Sequence, residues 1–357
     1  MGEHLVNTAL RANPAGEVIM FEGKSVLVTG GTGSFGKKFT EVVLRDHDPE
    51  RCLIFSRDEL KQSEMRKMPQ FRDDPRLRFF IGDVRDGDRL KRALDGVDYV
   101  VHAAALKQVP ACEYNPFEAI KTNVLGAQNI IEAAIDAEVD RVIALSTDKA
   151  CNPTNLYGAT KLCSDKLFVS GNAYVGKRST CFSVVRYGNV IGSRGSVVPY
   201  FLRHRDRGRL PITHPEMTRF WITLEQGVQF VLNAFRLMRG GEVFVPKIPS
   251  MSIVDLARSI APECELDVVG IRSGEKLHEV MISEHDARTT MEVGDFYLIA
   301  PEFSWWDRHG EWARREGEEV PAGFRYSSDT NDRWLSPDEL RAIVAPIENP
   351  FQSEDPR

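Results

Sequence analysis

A glycine-rich loop between a strand and a helix is the feature that most restricts what this chain can fold into. Residues 29–36 read TGGTGSFG, directly after the apolar run at residues 25–29 and before a segment with helical periodicity. The glycine spacing lets backbone amides and a helix N-terminus approach a pyrophosphate, so the loop predicts a dinucleotide site. The predicted contacts are Gly30, Thr32, Gly33, Ser34, Phe35 and Gly36.

Short β-branched or apolar runs alternate with segments of helical periodicity over the first half of the chain. This alternation predicts βαβ units and therefore a doubly wound parallel sheet of the α/β class, a Rossmann fold. The predicted strands are residues 25–29, 51–56, 77–81, 99–102, 141–146 and 180–186. The clearest predicted helix is 117–138, where apolar side chains form a continuous stripe that packs on the sheet.

The alternation stops near residue 190, where loops rich in Gly, Pro and Arg begin, with isolated helices predicted at 224–238 and 253–260. We expect a smaller α/β domain there that binds substrate, with later segments able to return to the first sheet. The predicted divisions are an extension at 1–20, a dinucleotide-binding domain at 21–190, a mainly substrate-binding domain at 191–345 and a tail at 346–357.

Composition excludes several partner classes. The 357 residues are 42% hydrophobic, enough for a buried core, and the net charge of -6 argues against nucleic acid or an anionic membrane as the main partner. The six cysteines show no C-x-x-C spacing, which favours reduced thiols over disulfides or a zinc site, and we predict no metal. Without a signal peptide pattern or an apolar run of ~18 residues, a cytoplasmic protein is expected.

Residues 146–161, STDKACNPTNLYGATK, bring four groups with proton-transfer chemistry into one short stretch. Tyr157 and Lys161 share a helix face, so the ammonium can lower the phenol pKa and prepare the tyrosine to take a hydroxyl proton during an oxidation. Asp148 and Lys149 follow the fifth predicted strand, where α/β sheets bind ligands. A simple alcohol dehydrogenase needs only the first pair, so the second predicts an additional proton-transfer step.

The end of the second strand bears on which dinucleotide binds. An acidic residue there binds the ribose 2′-hydroxyl of NAD, whereas an arginine accepts the 2′-phosphate of NADP. Arg57 favours NADP, with Lys61 and Ser56 beside it, and Asp58 keeps NAD as the alternative. Further predicted cofactor contacts at strand ends are Asp83, Val84, Ala103, Ala105, Leu145 and Ser146.

With these motifs, the chain resembles the extended short-chain dehydrogenase/reductase family and, within it, the inverting UDP-N-acetylglucosamine 4,6-dehydratases of pseudaminic acid synthesis. The likeness runs from about residue 23 to residue 343 and departs at the N-terminal extension, Gln108 and Cys151. Its specific segments are SRDELKQSEM, FFIGDVRD, HAAALKQVP, STDKACNPTNLYGATKLCSDKLF, RYGNVIGSRGSVVP, MTRFWIT, GGEVFVPKIPSM and GEKLHEVMI.

The resemblance implies a tightly bound, recycled NADP, a UDP-GlcNAc substrate and a homo-oligomer. It also implies that Tyr157 and Lys161 serve the oxidation and that Asp148 and Lys149 serve the elimination. Our hypothesis assigns Lys149 as the base at C5 and Asp148 as the acid toward the C6 hydroxyl. Lysine instead of glutamate at position 149 goes with inversion at C5. Lys107 is implied to lie between cofactor and sugar. The implied substrate contacts are Lys107, Asn189, Arg194, Ser196, Val197, Thr213, Arg219, Arg272, Glu275, Tyr326, Ser327 and Ser328.

Two questions stay open in the sequence. Lys149 can act as a base only if desolvation and cations such as Lys161 lower its pKa, whereas an ionised Asp148 raises it, so the division of roles is undecided. The alternative functions are a UDP-sugar 4-epimerase, another epimerising dehydratase, or a non-catalytic NADP-binding protein. Residues interpreted as packing or as a solvated or intersubunit surface are His102, Arg203, Arg205, Arg207, Arg209, Trp305 and Trp306.

Overall fold

The computed structural model describes residues 19–193, 195–303 and 311–348. Strands and helices alternate over residues 25–187, as the sequence predicts. The strands are β1 (Ser25–Thr29), β2 (Arg51–Ser56), β3 (Leu77–Ile81), β4 (Tyr99–His102), β5 (Arg141–Thr147) and β6 (Cys181–Tyr187). The helices are α1 (Ser34–Asp46), α2 (Glu59–Lys67), α3 (Gly87–Leu94), α4 (Val109–Tyr114), α5 (Pro116–Ile120), α6 (Gly126–Asp136) and α7 (Leu156–Gly171).

The elements after residue 187 are shorter. The strands are β7 (Asn189–Val190), β8 (Arg209–Ile212), β9 (Thr218–Ile222), β10 (Val243–Pro246), β11 (Ser250–Ser252), β12 (Glu265–Val268), β13 (Val280–Ile282), β14 (Thr290–Val293), β15 (Phe296–Ile299), β16 (Glu318–Glu319) and β17 (Tyr326–Ser327). The helices are α8 (Val197–His204), α9 (Leu224–Leu237), α10 (Ile253–Ile260), α11 (Glu311–Glu316) and α12 (Pro337–Glu348).

In the described residues, a ten-stranded sheet has the order β16-β14-β15-β10-β6-β5-β4-β1-β2-β3. The seven strands from β10 to β3 pair in parallel, and β15 and β14 continue the sheet antiparallel. The strand order reverses between β1 and β4, which is where open α/β sheets bind ligands. This topology confirms the predicted fold class.

The chain returns to this sheet after leaving it. Strand β10 pairs in parallel with β6, although it lies more than fifty residues beyond the predicted boundary at residue 190. A second apolar cluster, which includes Val198, Phe201, Leu256 and Leu340, is formed by helices of the C-terminal half. Part of the chain after residue 190 shares the core of the first sheet. The division into two domains at that residue stays a prediction.

The predicted helix 117–138 contains an interruption. Helix α5 passes into a π-helical turn at Lys121–Leu125, and α6 continues from it. The turn brings the Asn123 side chain inward, where it accepts a hydrogen bond from the Leu106 amide at 2.8 Å and donates to the Leu106 carbonyl at 2.8 Å. It also donates to the Thr160 hydroxyl at 3.0 Å. Asn123 therefore ties the segment after β4 to helix α7, a common use of π turns near functional sites.

No helix in the described ranges combines the length and apolar character that a membrane crossing requires. Several predictions fall on residues outside those ranges. They concern most of the extension at 1–20, the tail from 349, Arg194, Trp305 and Trp306.

Candidate active site

The glycine loop packs so tightly that side chains cannot replace its hydrogens. Gly30 has a φ of +65°, and a Cβ there would lie 3.0 Å from the Cα and amide nitrogen of Ala104. A Cβ on Gly36 would lie 2.5 Å from the Cα and the carbonyl oxygen of Gly31. Helix α1 begins after Gly33 and has no acidic residue in its first turn. The loop thus presents a helix N-terminus without a competing carboxylate of its own, which fits the pyrophosphate of a dinucleotide.

The two candidate groups for the 2′ position have different surroundings. The Asp58 carboxylate caps α2 by accepting from the Lys61 amide at 3.0 Å, and it pairs with the Lys61 ammonium at 2.8 Å. Arg57 extends into solvent, with one guanidinium nitrogen 3.7 Å from an Asp83 carboxylate oxygen. The Asp58 carboxylate is therefore occupied by contacts within α2, whereas the Arg57 guanidinium is exposed at the end of β2.

The Asp148 and Lys149 side chains lie together at the carboxyl end of β5. Asp148 is fully buried, and its Oδ1 accepts from the Thr147 hydroxyl at 2.9 Å and from the Lys149 ammonium at 3.0 Å. The ammonium also lies 3.3 Å from Asn189 Oδ1 and 3.3 Å from Glu279 Oε1. The structure thus joins three predicted site residues and adds Glu279.

Helix α7 begins directly against this turn. Its N-cap is Asn155, whose side chain accepts from the Gly158 amide at 2.8 Å. A Cβ on Gly158 would collide with the Lys149 carbonyl oxygen, so the contact requires glycine. This packing places Tyr157 beside the Asp148–Lys149 turn, and Lys161 follows one turn later on the same helix.

A lysine that acts as a base needs a lowered pKa, but the surroundings of Lys149 raise its pKa. Burial disfavours its charge, but the carboxylates of Asp148 and Glu279 outweigh burial and raise the pKa of Lys149 above its usual range. Burial also raises the pKa of Asp148, although the Lys149 charge opposes that rise. Asp148 Oδ2 is buried and has no hydrogen-bond partner among the described residues. Asp148 is therefore suited to carry a proton and donate it.

The oxidation pair also differs from the sequence expectation in one respect. Burial raises the pKa of Tyr157 to about 12, and the groups that oppose this rise are the Lys149 ammonium and the Thr147 hydroxyl. Burial lowers the pKa of Lys161, and the carboxylate of Asp165, one turn further along α7, opposes that change. The sequence predicted that the Lys161 cation lowers the pKa of Tyr157. In the structure, the Lys149 cation has this effect.

A cavity of about 420 Å³ opens beside this cluster. Asn189 and Arg219 belong to its wall and connect it to the catalytic groups, since one contacts the Lys149 ammonium and the other lies 3.8 Å from Glu279. The predicted substrate residues that line it are Asn189, Ser196, Val197, Thr213, Arg219, Arg272 and Glu275. Lys107 is exposed and is not among the lining residues.

Tyr326, Ser327 and Ser328 lie behind the cavity instead of closing over it. The Tyr326 hydroxyl donates to the Ile248 carbonyl at 3.0 Å, and the Ser328 hydroxyl accepts from the Glu279 amide at 3.0 Å. All three are buried because β17 pairs antiparallel with β13, which turns them toward the protein interior. None of the three is among the residues that line the cavity, so their contact with substrate stays a prediction; they pair with β13 and with Glu279, which precedes it.

His102 has the structural role that was expected of it. It is buried, its Nδ1 lies 3.0 Å from the Thr29 hydroxyl, and burial lowers its pKa to about 3. The Thr29 hydroxyl also accepts from the amides of Ala103 and Ala104 at 3.1 and 3.2 Å. The ends of β1 and β4 are thereby fastened together against Gly30. The four arginines at 203, 205, 207 and 209 are exposed and absent from the cavity wall.

Comparisons with known proteins agree with this site. The sequence profile of the polysaccharide biosynthesis proteins matches residues 26–301. The chain belongs to this family. It is 54% identical over 331 residues to the inverting UDP-N-acetylglucosamine 4,6-dehydratase of Campylobacter jejuni, covering 91% of this chain and 98% of the relative. It is also 40% identical over 335 residues to a UDP-glucose 4-epimerase of Rickettsia canadensis, covering 91% of this chain and 96% of that one.

Solved structures show the same fold for this family member. Pen from Bacillus thuringiensis is 36% identical with a TM-score of 0.82, covering 92% of this chain and 98% of Pen. DesIV from Streptomyces venezuelae, a dTDP-glucose 4,6-dehydratase solved with NAD bound, is 25% identical with a TM-score of 0.62, covering 71% of this chain and 86% of that chain.

Sequence reasoning missed three polar residues of this family member's site: Thr147, Lys276 and Glu279. Thr147 contacts Asp148, and Lys276 and Glu279 form an ion pair at 3.5 Å. Glu279 directly precedes the buried run of β13, so a charged residue at the start of an apolar strand was the available signal. Two other charged partners of Glu279, Lys149 and Arg219, lie 130 and 60 residues away in sequence, and no local pattern indicates them.

The glycine loop gives the first prediction. Gly36→Ala should destabilise the protein by about 1–3 kcal/mol and weaken dinucleotide binding, because the added methyl group forces Gly31 away from α1. Thermal unfolding and calorimetric titration with NADP measure the two effects. The matched control is Gly227→Ala, also within a helix, where no atom lies within 4 Å of the added methyl. Unchanged NADP affinity in the Gly36 variant would contradict the assignment.

Proposed function

We propose that this chain dehydrates UDP-GlcNAc across C5 and C6 with inversion at C5, giving UDP-2-acetamido-2,6-dideoxy-β-L-arabino-hex-4-ulose. The observation that carries the proposal is the ion pair between buried Asp148 and partly buried Lys149, in the same site as Tyr157 and Lys161. The identity of 54% to the Campylobacter jejuni dehydratase supports it. The pair lies beside a cavity whose wall includes the exposed cation Arg272, which suits a nucleotide diphosphate. Arg219 also belongs to that wall, but its guanidinium donates to the Thr218, Lys276 and Leu277 carbonyls.

The first chemical task is to activate the C5 proton. In the sugar this proton is not acidic, but a ketone at C4 places it α to a carbonyl. Tyr157 as the phenolate takes the C4 hydroxyl proton, and the Thr147 hydroxyl and the Lys149 ammonium are the neighbours that stabilise that phenolate. The glycine loop would hold a nicotinamide dinucleotide, which would supply the hydride acceptor for C4 and the hydride donor for C6. Lys161 holds the cofactor ribose and supports the tyrosine.

The second task is elimination of water. The Lys149 ammonium first passes a proton to the Asp148 carboxylate 3.0 Å away. Neutral Lys149 then takes the C5 proton, and the electron pair of the C5–H bond forms the C5–C6 double bond. Asp148 donates the proton it received to the C6 hydroxyl as the C6–O bond breaks, and burial, which raises the pKa of Asp148, favours its protonated form. Asp148 ends as a carboxylate and Lys149 as an ammonium, an ion pair that the geometry already accommodates at 3.0 Å. A proton returned to C5 from the other face gives inversion.

The cofactor in this proposal is a tightly held, recycled NADP. The Rossmann sheet and the glycine loop fit a nicotinamide dinucleotide, and the NAD bound to DesIV supports that class. NADP is favoured over NAD because Arg57 is exposed at the strand edge whereas Asp58 caps α2.

Arg57→Ala tests the choice between the two dinucleotides. The affinity for NADP should fall by about 10-fold, since one charged contact to the 2′-phosphate is lost, while the affinity for NAD should stay unchanged. Titration calorimetry with each dinucleotide measures both. Arg92→Ala, at an exposed arginine of α3, is the control and should change neither affinity. An equal loss for NADP and NAD would contradict the 2′-phosphate contact.

A UDP-sugar 4-epimerase is the second candidate, and the identity of 40% to the Rickettsia canadensis protein favours it to a lesser degree. An epimerase needs Tyr157 and Lys161 but has no use for a base at C5 and an acid at C6. A non-catalytic NADP-binding protein would have no use for any of the four groups. The retained Asp148–Lys149 pair therefore supports the dehydratase.

The product formed from UDP-GlcNAc separates these candidates. Purified protein is mixed with UDP-GlcNAc in deuterium oxide with no added cofactor, and the product is identified by NMR. It should be a 6-deoxy-4-keto sugar that carries deuterium at C5. Turnover without added NADP would support a retained and recycled cofactor. A product that keeps its C6 hydroxyl would contradict dehydration, and the absence of any turnover with dinucleotide present would favour the binding protein.

The wider setting is part of the same proposal. A 6-deoxy-4-keto amino sugar suits the start of pseudaminic acid synthesis in the cytoplasm. We also propose a homo-oligomer, because large apolar side chains are exposed along one stretch of chain around α4 and α5. They are Tyr114, Phe117, Ile120 and Leu125.

A further inference from the structure

Glu279 is a buried carboxylate that contacts the proposed base but is screened from solvent, with 2% of its surface exposed. We propose that Glu279 is a positioning residue that holds the Lys149 ammonium and, through its own charge, sets the pH above which the C5 proton can be removed. This inference rests on the proposed dehydratase function and deepens it.

The Lys149 ammonium has as many acceptors as it has protons. Asp148 Oδ1 lies at 3.0 Å, Asn189 Oδ1 at 3.3 Å and Glu279 Oε1 at 3.3 Å. An ammonium has three donors, so these contacts use all of them and fix its position. The acceptors come from the end of β5, from β7 and from the residue before β13, so three separate parts of the chain direct this one group.

The charges around Glu279 show what its removal would do. Besides Lys149 it faces the Lys276 ammonium at 3.5 Å and the Arg219 guanidinium at 3.8 Å. Among the described residues, Lys149 in turn faces Asp148, Glu279, Arg219, Tyr157 and Lys107. When Asp148 carries a proton, Glu279 is the one carboxylate that balances the cations of this cluster. Without it, repulsion from the Arg219 charge favours neutral Lys149.

Glu279 is held in place by the backbone and not by the substrate cavity. Its amide donates to the Ser328 hydroxyl at 3.0 Å, and its carbonyl accepts from the Ser328 amide at 2.9 Å. It is absent from the cavity wall, whereas its partner Arg219 is part of that wall. Glu279 therefore acts through Lys149 and has no contact of its own with the sugar.

This arrangement gives Glu279 opposing effects on catalysis. It keeps the Lys149 nitrogen at the site where the C5 proton is removed, and it also stabilises the protonated form that cannot remove it. Loss of the charge alone should let the base work at lower pH, whereas loss of the position should lower the maximum rate. The two effects separate in a pH profile.

Glu279→Gln, of nearly the same shape, removes the charge. The measurement is the rate of formation of the 4-keto-6-deoxy product with deuterium at C5, recorded as a function of pH. The pH at which this rate is half-maximal should fall by about one unit or more, because a close anion no longer stabilises the Lys149 ammonium. KM should stay within about two-fold of the parent value, since the residue does not touch substrate. Glu279→Asp keeps the charge and should keep the parent midpoint with a reduced maximum rate.

Lys276→Met provides a second variant with the opposite sign. Without the Lys276 cation, the Glu279 charge is less neutralised and stabilises the Lys149 ammonium more strongly. The pH of half-maximal rate should therefore rise. The matched control is Glu284→Gln, an exposed carboxylate in the same segment, which should leave the profile unchanged. Thermal unfolding of each variant verifies that it is folded.

The outcomes distinguish this inference from the function on which it rests. A parent protein that forms no 4-keto-6-deoxy sugar would contradict the proposed function. A parent that forms it, together with a folded Glu279→Gln variant whose midpoint is unmoved and whose rate is reduced equally at every pH, would overturn the role of Glu279 alone. If that variant does not fold, an unmoved midpoint in Lys276→Met would overturn it.

Discussion

A partly buried lysine between two buried carboxylates is the interaction on which the rest of this site depends. The Lys149 ammonium lies 3.0 Å from Asp148 and 3.3 Å from Glu279, and both carboxylates are buried. Such a group is costly to bury unless every charge has a partner, so the surrounding chain must converge accurately on it. The Asp148–Lys149 turn, β7 and β13 all meet at this point, and the cavity opens beside it.

The parallel sheet explains why these groups can meet at all. The carboxyl ends of β1, β4 and β5 lie at one edge, so the glycine loop, the segment after β4 and the Asp148–Lys149 turn face the same crevice. Three local devices then fix the details. Gly158 lets α7 pack on the turn, Asn123 ties α7 to the segment after β4, and Thr29 joins the ends of β1 and β4.

Much of this architecture could be predicted from sequence, because it follows from local patterns. The first four predicted strands match the observed bounds, and the fifth and sixth differ by one residue at their ends. The π turn at Asn123 could not be predicted, since one extra residue scarcely alters helical periodicity. The role of Glu279 and the inward direction of Tyr326 depend on pairing between β13 and β17, which are separated by more than forty residues. Sequence analysis anticipated that Asp148 raises the pKa of Lys149, but the further rise from Glu279 could not be predicted, because Glu279 reaches Lys149 only in the fold.

The central claim is that Tyr157 with Lys161 makes a ketone and that Asp148 with Lys149 then uses the acidity it creates. The most direct measurement is the absorbance of reduced nicotinamide after UDP-GlcNAc is mixed with the Lys149→Ala variant carrying NADP. Reduced cofactor should accumulate, although more slowly than the parent protein reduces it, because the Lys149 charge also stabilises the Tyr157 phenolate. No 6-deoxy product should form, whereas Tyr157→Phe should give neither reduced cofactor nor product. Formation of the 6-deoxy-4-keto sugar by Lys149→Ala at the parent rate would contradict it.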